Sequence, residues 1–253
     1  MLQLTYEAFG QWQPVDAVWE KDGRYYDAFR PSVDPVGHAC ADDVVLLRRL
    51  HLEKVRQLFT EMTLFVFTLG LTEAWESVAD GAVYPAAAGT IAGTFDEAKY
   101  RFRNFRYQQI LEDFEDFWTF LKSINPDVRA ILTVSPVPLT ATASGEHVLV
   151  ATTQSKATLR AIAGDLASWE ESITYFPSYE LVASHPMRGL FFNPDLRTVS
   201  DAGVDFVMGH FFRDAPEPVA TPATKVTANG AQTATETEDL DLICDDAALE
   251  QFA

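Results

Sequence analysis

The sequence predicts an α/β domain built on a parallel sheet with helices on both faces. Helical and strand-like apolar segments alternate along the chain. The strand-like segments are continuous apolar runs, the pattern of strands covered on both sides. Each run ends in polar or irregular sequence, and in such sheets ligands sit beyond the carboxyl ends of the strands.

Taken in order, residues 2–9 read as the end of a helix, and 10–40 as loop with a turn inside "KDGRYYDAFRP". Val44, Leu47, Leu50, Val55, Leu58, Phe59 and Met62 share a helical face, which predicts a helix over 43–61 with Asp42 as its N-cap. "LFVFTL" predicts a strand at 64–69. Residues 76–104, punctuated by Gly81, Pro85, Gly89 and Gly93, read as one long irregular loop. Ile110, Leu111, Phe114, Phe117, Trp118 and Leu121 predict a helix over 105–123. A strand follows at 130–134, stopped by Pro136 and Pro138. Leu159, Ile162, Ala163 and Leu166 mark a helix over 152–169. A strand at 172–176 and a helix over 200–212, capped by Ser200, close the domain.

The domain therefore spans 1–213. Residues 214–253 are Ala/Thr/Pro-rich and then acidic, a composition that reads as a disordered tail. The net charge of −18 argues against a nucleic-acid partner, which needs a basic footprint. No apolar run approaches the roughly 20 residues of a membrane span, and the start shows no leader pattern. Two distant cysteines, Cys40 and Cys244, fit a reducing, cytoplasmic setting. With five scattered histidines they offer no metal-ligand spacing, and no cofactor is expected.

"TLGLTEAW", "VYPAAAGT", "NPDVRAILTVSPVPLTAT", "HVLVATTQSKATLRA", "YFPSYEL" and "DLRTVSDAGVDFVM" together resemble the GSCFA family over about residues 1–213. That family is similar to SGNH hydrolases. The resemblance implies a three-layer, flavodoxin-like sheet and ester hydrolysis or O-acyl transfer on acylated carbohydrates or cell-surface precursors. It also implies a G-S-C-F-A segment and a first strand that are missing here, so the chain looks truncated, with an open sheet edge suited to a partner chain or to self-association. Gly70, Leu71, Thr72 and Glu73 stand in the block that is Gly-x-Asn-Asp in SGNH enzymes. Asp195, Leu196, Arg197 and Thr198 stand in the Asp-x-x-His block, with Thr198 in place of the histidine. A nucleophile block is absent, which implies a chain inactive on esters, or a non-catalytic binding or scaffold module of the same fold.

The residues themselves leave alternatives open. Gly70 permits a tight turn at the strand end, Thr72 has a hydroxyl for an oxyanion, and Glu73 a carboxylate to orient a base or a substrate hydroxyl. Thr72 and Glu73 equally suit a helix's first turn. Ser135 sits at a strand end without the strand–turn–helix elbow of a nucleophile and reads better as a turn residue. Lys156 is placed to face an anionic group. His147 and His185 are the loop histidines available as a base beside Asp195, since a triad is defined by geometry rather than order. Arg197 either clamps a carboxylate or pairs with Asp195. His38, His51 and His210 carry no signal. The same reading places Thr72, Glu73, Ser135 and Ser178 on one rim of the sheet.

Overall fold

The computed structural model describes residues 1–213; the expected disordered tail, with Cys244, lies outside the described residues. The chain runs α1 (Leu2–Ala8), β1 (Val18–Lys21), β2 (Arg24–Asp27), α2 (Ala41–Glu61), β3 (Leu64–Leu69), β4 (Glu73–Ser77), β5 (Val83–Tyr84), β6 (Tyr100–Asn104), α3 (Tyr107–Ile124), β7 (Arg129–Val134), α4 (Val148–Trp169), β8 (Ile173–Tyr175), α5 (Ser178–Ala183) and α6 (Asp201–Phe211). The fold is mixed α/β. Strands β3, β7 and β8 form a parallel sheet in the order β3-β7-β8, so the three strands expected to be neighbours in one sheet are so.

Strand alternation builds the main core. Phe65 and Leu69 of β3, and Ala130, Leu132 and Val134 of β7, are buried on one face of the sheet. Phe59 of α2, Phe117 and Leu121 of α3, and Leu159 and Ile162 of α4 pack there with them. The β3-α3-β7 and β7-α4-β8 crossovers run in the same direction across the sheet, so right-handed connection places α3 and α4 on that one face. The opposite face is sparsely covered. Thr133, on the other side of β7 from Leu132, meets the Ser178 hydroxyl at the start of α5. On β3, Leu64 is 42% and Val66 48% exposed.

Residues 76–104 are not one loop. β4 pairs antiparallel with both β5 and β6, placing Trp75 opposite Tyr84 and Phe102, and Glu76 opposite Arg101. The sequence hides this sheet because β5 is two residues long and β4 finds its main partner more than twenty residues away. A satellite core lies beside it. Trp19, Tyr84 and Tyr100 pack with Ala82, Ala88 and Ala92; Trp19 Nε1 donates to the Tyr100 hydroxyl at 3.2 Å, and the Tyr84 hydroxyl to the Asp16 carbonyl at 2.9 Å. The turn inside residues 10–40 is a β1–β2 hairpin. Asp22 and Gly23 both have positive φ, the Asp-Gly geometry that matches the twist of paired strands.

Helix α2 departs from its expected face and cap. Cys40, exposed and reduced, holds the N-cap position, and Asp42 and Asp43 lie in the first turn, where the helix dipole favours acids. Val44, Val55 and Phe59 are buried as expected, but Leu47, Leu50 and Leu58 face outward and Arg48 is buried instead. Ser200 does cap α6, accepting from the Gly203 amide at 3.3 Å. Among the described residues no helix is long and apolar enough to cross a membrane.

Candidate functional site

A cavity of about 610 Å³ opens at the carboxyl end of β3. Its floor is the main core: Phe67, Leu69, Phe114, Phe117 and Leu159. Gly70, Leu71, Glu73 and Ala74 form one wall where the chain leaves the parallel sheet and enters β4. Helix α1 forms another, tied down by Gln3, whose Oε1 accepts from the Val83 amide at 2.8 Å. The opposite wall is polar and comes from α2 and the segment before it: Phe29, Arg30, Arg48 and His51.

Arg48 organises that wall. It is 7% exposed, and its guanidinium donates to both carboxylate oxygens of Glu7, through Nε at 2.8 Å and through Nη2, and to Asp27 Oδ1 at 2.7 Å. Its Cζ lies over the Phe29 ring, 4.3 Å from the ring centre. Asp27 also holds Arg30 at 3.0 Å. Burial, then the neighbouring Arg30 charge, lowers the His51 pKa and favours neutral imidazole there. Burial raises the Asp113 pKa on the α3 wall. The cavity thus joins an apolar depth to a few polar groups on its walls, a lining that suits a ligand with an apolar body and a polar head.

The site residues expected from sequence fall into separate groups. Gly70 and Glu73 line the cavity, and Glu73 Oε1 accepts from the Thr142 hydroxyl at 2.7 Å. Thr72 is buried behind them. Its hydroxyl donates to Asn104 Oδ1 at 2.8 Å and its amide to Ser155 Oγ at 3.0 Å. Lys156, 1% exposed, donates from Nζ to the Gly70 carbonyl at 2.9 Å, and burial pushes its pKa down to about 8. Ser155 and Lys156 thus clamp the turn that leaves β3. Glu73 begins a strand rather than a helix. Ser135 stands at the neighbouring strand end, where its amide donates to Leu69 O at 2.9 Å and its hydroxyl accepts from the Val137 amide at 3.2 Å.

The remaining expected residues are elsewhere. His147 is exposed and caps α4, its Nδ1 accepting from the Leu149 amide at 3.3 Å. His185 is exposed in the 3-10 turn His185–Met187. Asp195 accepts from the amides of Arg197 and Thr198 at 2.9 and 3.0 Å and from the Thr198 hydroxyl at 2.7 Å, bonds that hold its carboxyl pKa down. No hydrogen bond among the described residues joins Asp195 to either histidine.

Sequence reading passed over Arg48, His51, Asp113 and Ser155. The signal for two of them was present: Val44, Arg48, His51 and Val55 recur at helical spacing, so polar residues interrupt the buried stripe of α2. Among the described residues no group of three or more His, Cys, Asp or Glu is placed to hold a metal ion. Comparison with curated proteins finds no match for the chain. The model of the GSCFA family matches residues 1–211.

Proposed function

The chain belongs to the GSCFA family, and from that footing we propose that it holds an ester-linked acyl group of a carbohydrate or cell-surface precursor, as an ester hydrolase or O-acyl transferase would. The observation that carries this reading is the cavity at the carboxyl end of β3, apolar in its depth and polar at its α2 wall. In this reading the parallel sheet is the centre of a three-layer, flavodoxin-like SGNH arrangement. The acyl chain lies against Phe67, Phe114 and Leu159, and the polar head meets Glu73 and His51. Cytoplasmic residence belongs to the same proposal, supported by the free thiol of Cys40.

A second reading, a binding or scaffold module without turnover, is favoured by one observation. Among the described residues no serine, threonine or cysteine is hydrogen-bonded to a histidine side chain, the pairing that activates a nucleophile. His147, His185 and Asp195 remain candidates only if ligand binding moves them together.

The two readings separate in one pair of measurements. N-octanoylglucosamine, an amide that resists hydrolysis, should bind the purified chain in calorimetry. Ala74→Trp, which fills the cavity wall, should weaken that binding by about tenfold or more, some 1.4 kcal/mol. p-Nitrophenyl octanoate should turn over slowly, at the level left by positioning and oxyanion stabilisation alone. Fast turnover abolished by Ser135→Ala would make Ser135 the nucleophile and remove the binding-module reading. Undetectable calorimetric binding would remove both.

A further inference from the structure

Strand β3 ends the parallel sheet: β7 is its one partner strand among the described residues. In that pair Thr63 O accepts from the Arg129 amide and Leu69 O from the Ser135 amide. Parallel strands bond through alternate residues, so Phe65, Phe67 and Leu69 face β7. The amides and carbonyls of Leu64, Val66 and Thr68 therefore point away from the sheet. All three residues are exposed.

This edge lacks the devices that keep strand edges apart. From Met62 to Thr72 there is no charged residue and no proline, in a chain whose net charge is −18. Two of the outward-pointing residues are apolar, Leu64 at 42% and Val66 at 48% exposure. A row of unpaired donors and acceptors with apolar side chains along it is a template for another strand.

We propose that the occupant is β3 of a second copy of this chain, paired antiparallel about a two-fold axis at Val66. That register follows from the edge itself. The outward-facing residues are Leu64, Val66 and Thr68, so the pairs that exchange hydrogen bonds are Val66 with Val66 of the second copy, and Leu64 with its Thr68, twice over. Every outward amide of the edge then finds a carbonyl. Leu64 and Val66 of both copies adjoin on the sparsely covered face of the joined sheet. The nearest acids bring no like charges together: Glu61 lies opposite Leu71 of the second copy, and Glu73 opposite its Phe59. A self-complementary edge closes on itself as an isologous dimer instead of growing into a filament. The association does not depend on any ligand of the cavity.

Sedimentation velocity over a dilution series of the full chain tests the proposal. A dimer that dissociates on dilution is expected. Val66→Lys, a substitution at an exposed side chain, should give a monomer at all concentrations with an unchanged melting temperature under dilute conditions. Leu64→Glu provides the second variant should Val66→Lys fold poorly. Hydrogen exchange supplies the register: the amides of Leu64, Val66 and Thr68 should exchange slowly in the concentrated wild type and rapidly in the variant. A wild-type chain that is monomeric throughout the series overturns the proposal. So does a dimer that survives both substitutions, or one in which those three amides exchange rapidly, because its interface then lies elsewhere.

Discussion

Glu7→Ala should lower the stability of the chain by about 3 kcal/mol, the lower end of the range for removing one partner of a buried ion pair. Glu7 has 6% of its side chain exposed and Arg48 has 8%. Truncating Glu7 leaves the buried Arg48 guanidinium with only the Asp27 carboxylate to accept from it. Asp27 is already shared with Arg30, so it compensates little. Helix α1 should loosen at the same time, because the pair ties it to α2. The double replacement Glu7→Leu with Arg48→Met should behave differently. It removes both charges and fills the space with apolar atoms, an exchange that is often neutral or stabilising. Urea unfolding of the three variants, read as a double-mutant cycle, measures the coupling. Glu7→Ala within about 0.5 kcal/mol of wild type, the scale of an ordinary surface substitution, would mean that water reaches Arg48 and that the wall is not the closed surface described above.

The pair also shows what kind of information the sequence carried. Helices α3 and α4 and strands β3 and β7 were legible because each encodes its environment in one uninterrupted stretch. Phe114, Phe117 and Leu121 recur as a helix face, and "LFVFTL" reads as a strand, although its continuous apolar run suggested cover on both faces and the structure leaves Leu64 and Val66 exposed on one. Arg48 was legible in principle, as a polar residue at a buried helical position, but a lone arginine on an apolar stripe carries no sign of which acid meets it. Its partners, Glu7 and Asp27, come from two other elements. The β4–β6 pairing failed for the same reason, since Glu76 and Arg101 become cross-strand neighbours only after a segment of more than twenty residues, with β5 inside it, folds back. The cavity is the extreme case. Its walls come from α1, α2, β3, β4, α3 and α4 together, and no local pattern specifies an empty volume. Strand-end residues fared better because the carboxyl rim of a parallel sheet is fixed by topology. Gly70, Thr72, Glu73 and Ser135 do stand at strand ends, although Thr72 points its hydroxyl at Asn104 and not into the cavity's open space.

Lys156 is the residue at that rim whose environment most strongly opposes its charge, and it makes the stability of the chain depend on pH in a definite direction. It is 1% exposed and donates to a carbonyl, with no carboxylate in salt-bridge contact among the described residues. Burial takes its pKa from 10.5 down to about 8. The unfolded chain therefore holds this proton up to about pH 10.5, while the folded chain releases it near pH 8. Between those values the unfolded state binds more protons, so stability rises with pH; below pH 8 both states are protonated and the penalty is constant. At 1.36 kcal/mol per pKa unit the full amplitude is on the order of 3 kcal/mol. Tyr100, raised to about 12, and the similarly raised Tyr84 and Tyr175 oppose the trend above pH 10, where the unfolded tyrosines ionise first. The Lys156 slope is therefore read between pH 8 and 10, where the Met1 amino group, also lowered by burial, adds to it only at the lower end. Lys156→Met should abolish the slope in that window and stabilise the chain at pH 7 by about 2 kcal/mol, the desolvation relieved less the hydrogen bond lost at Gly70. Urea midpoints of wild type and variant at half-unit pH steps provide the measurement. A variant less stable than wild type at pH 7 would show that the ammonium is solvated or paired on binding the Gly70 turn. A slope that persists in Lys156→Met would assign the titration to another group.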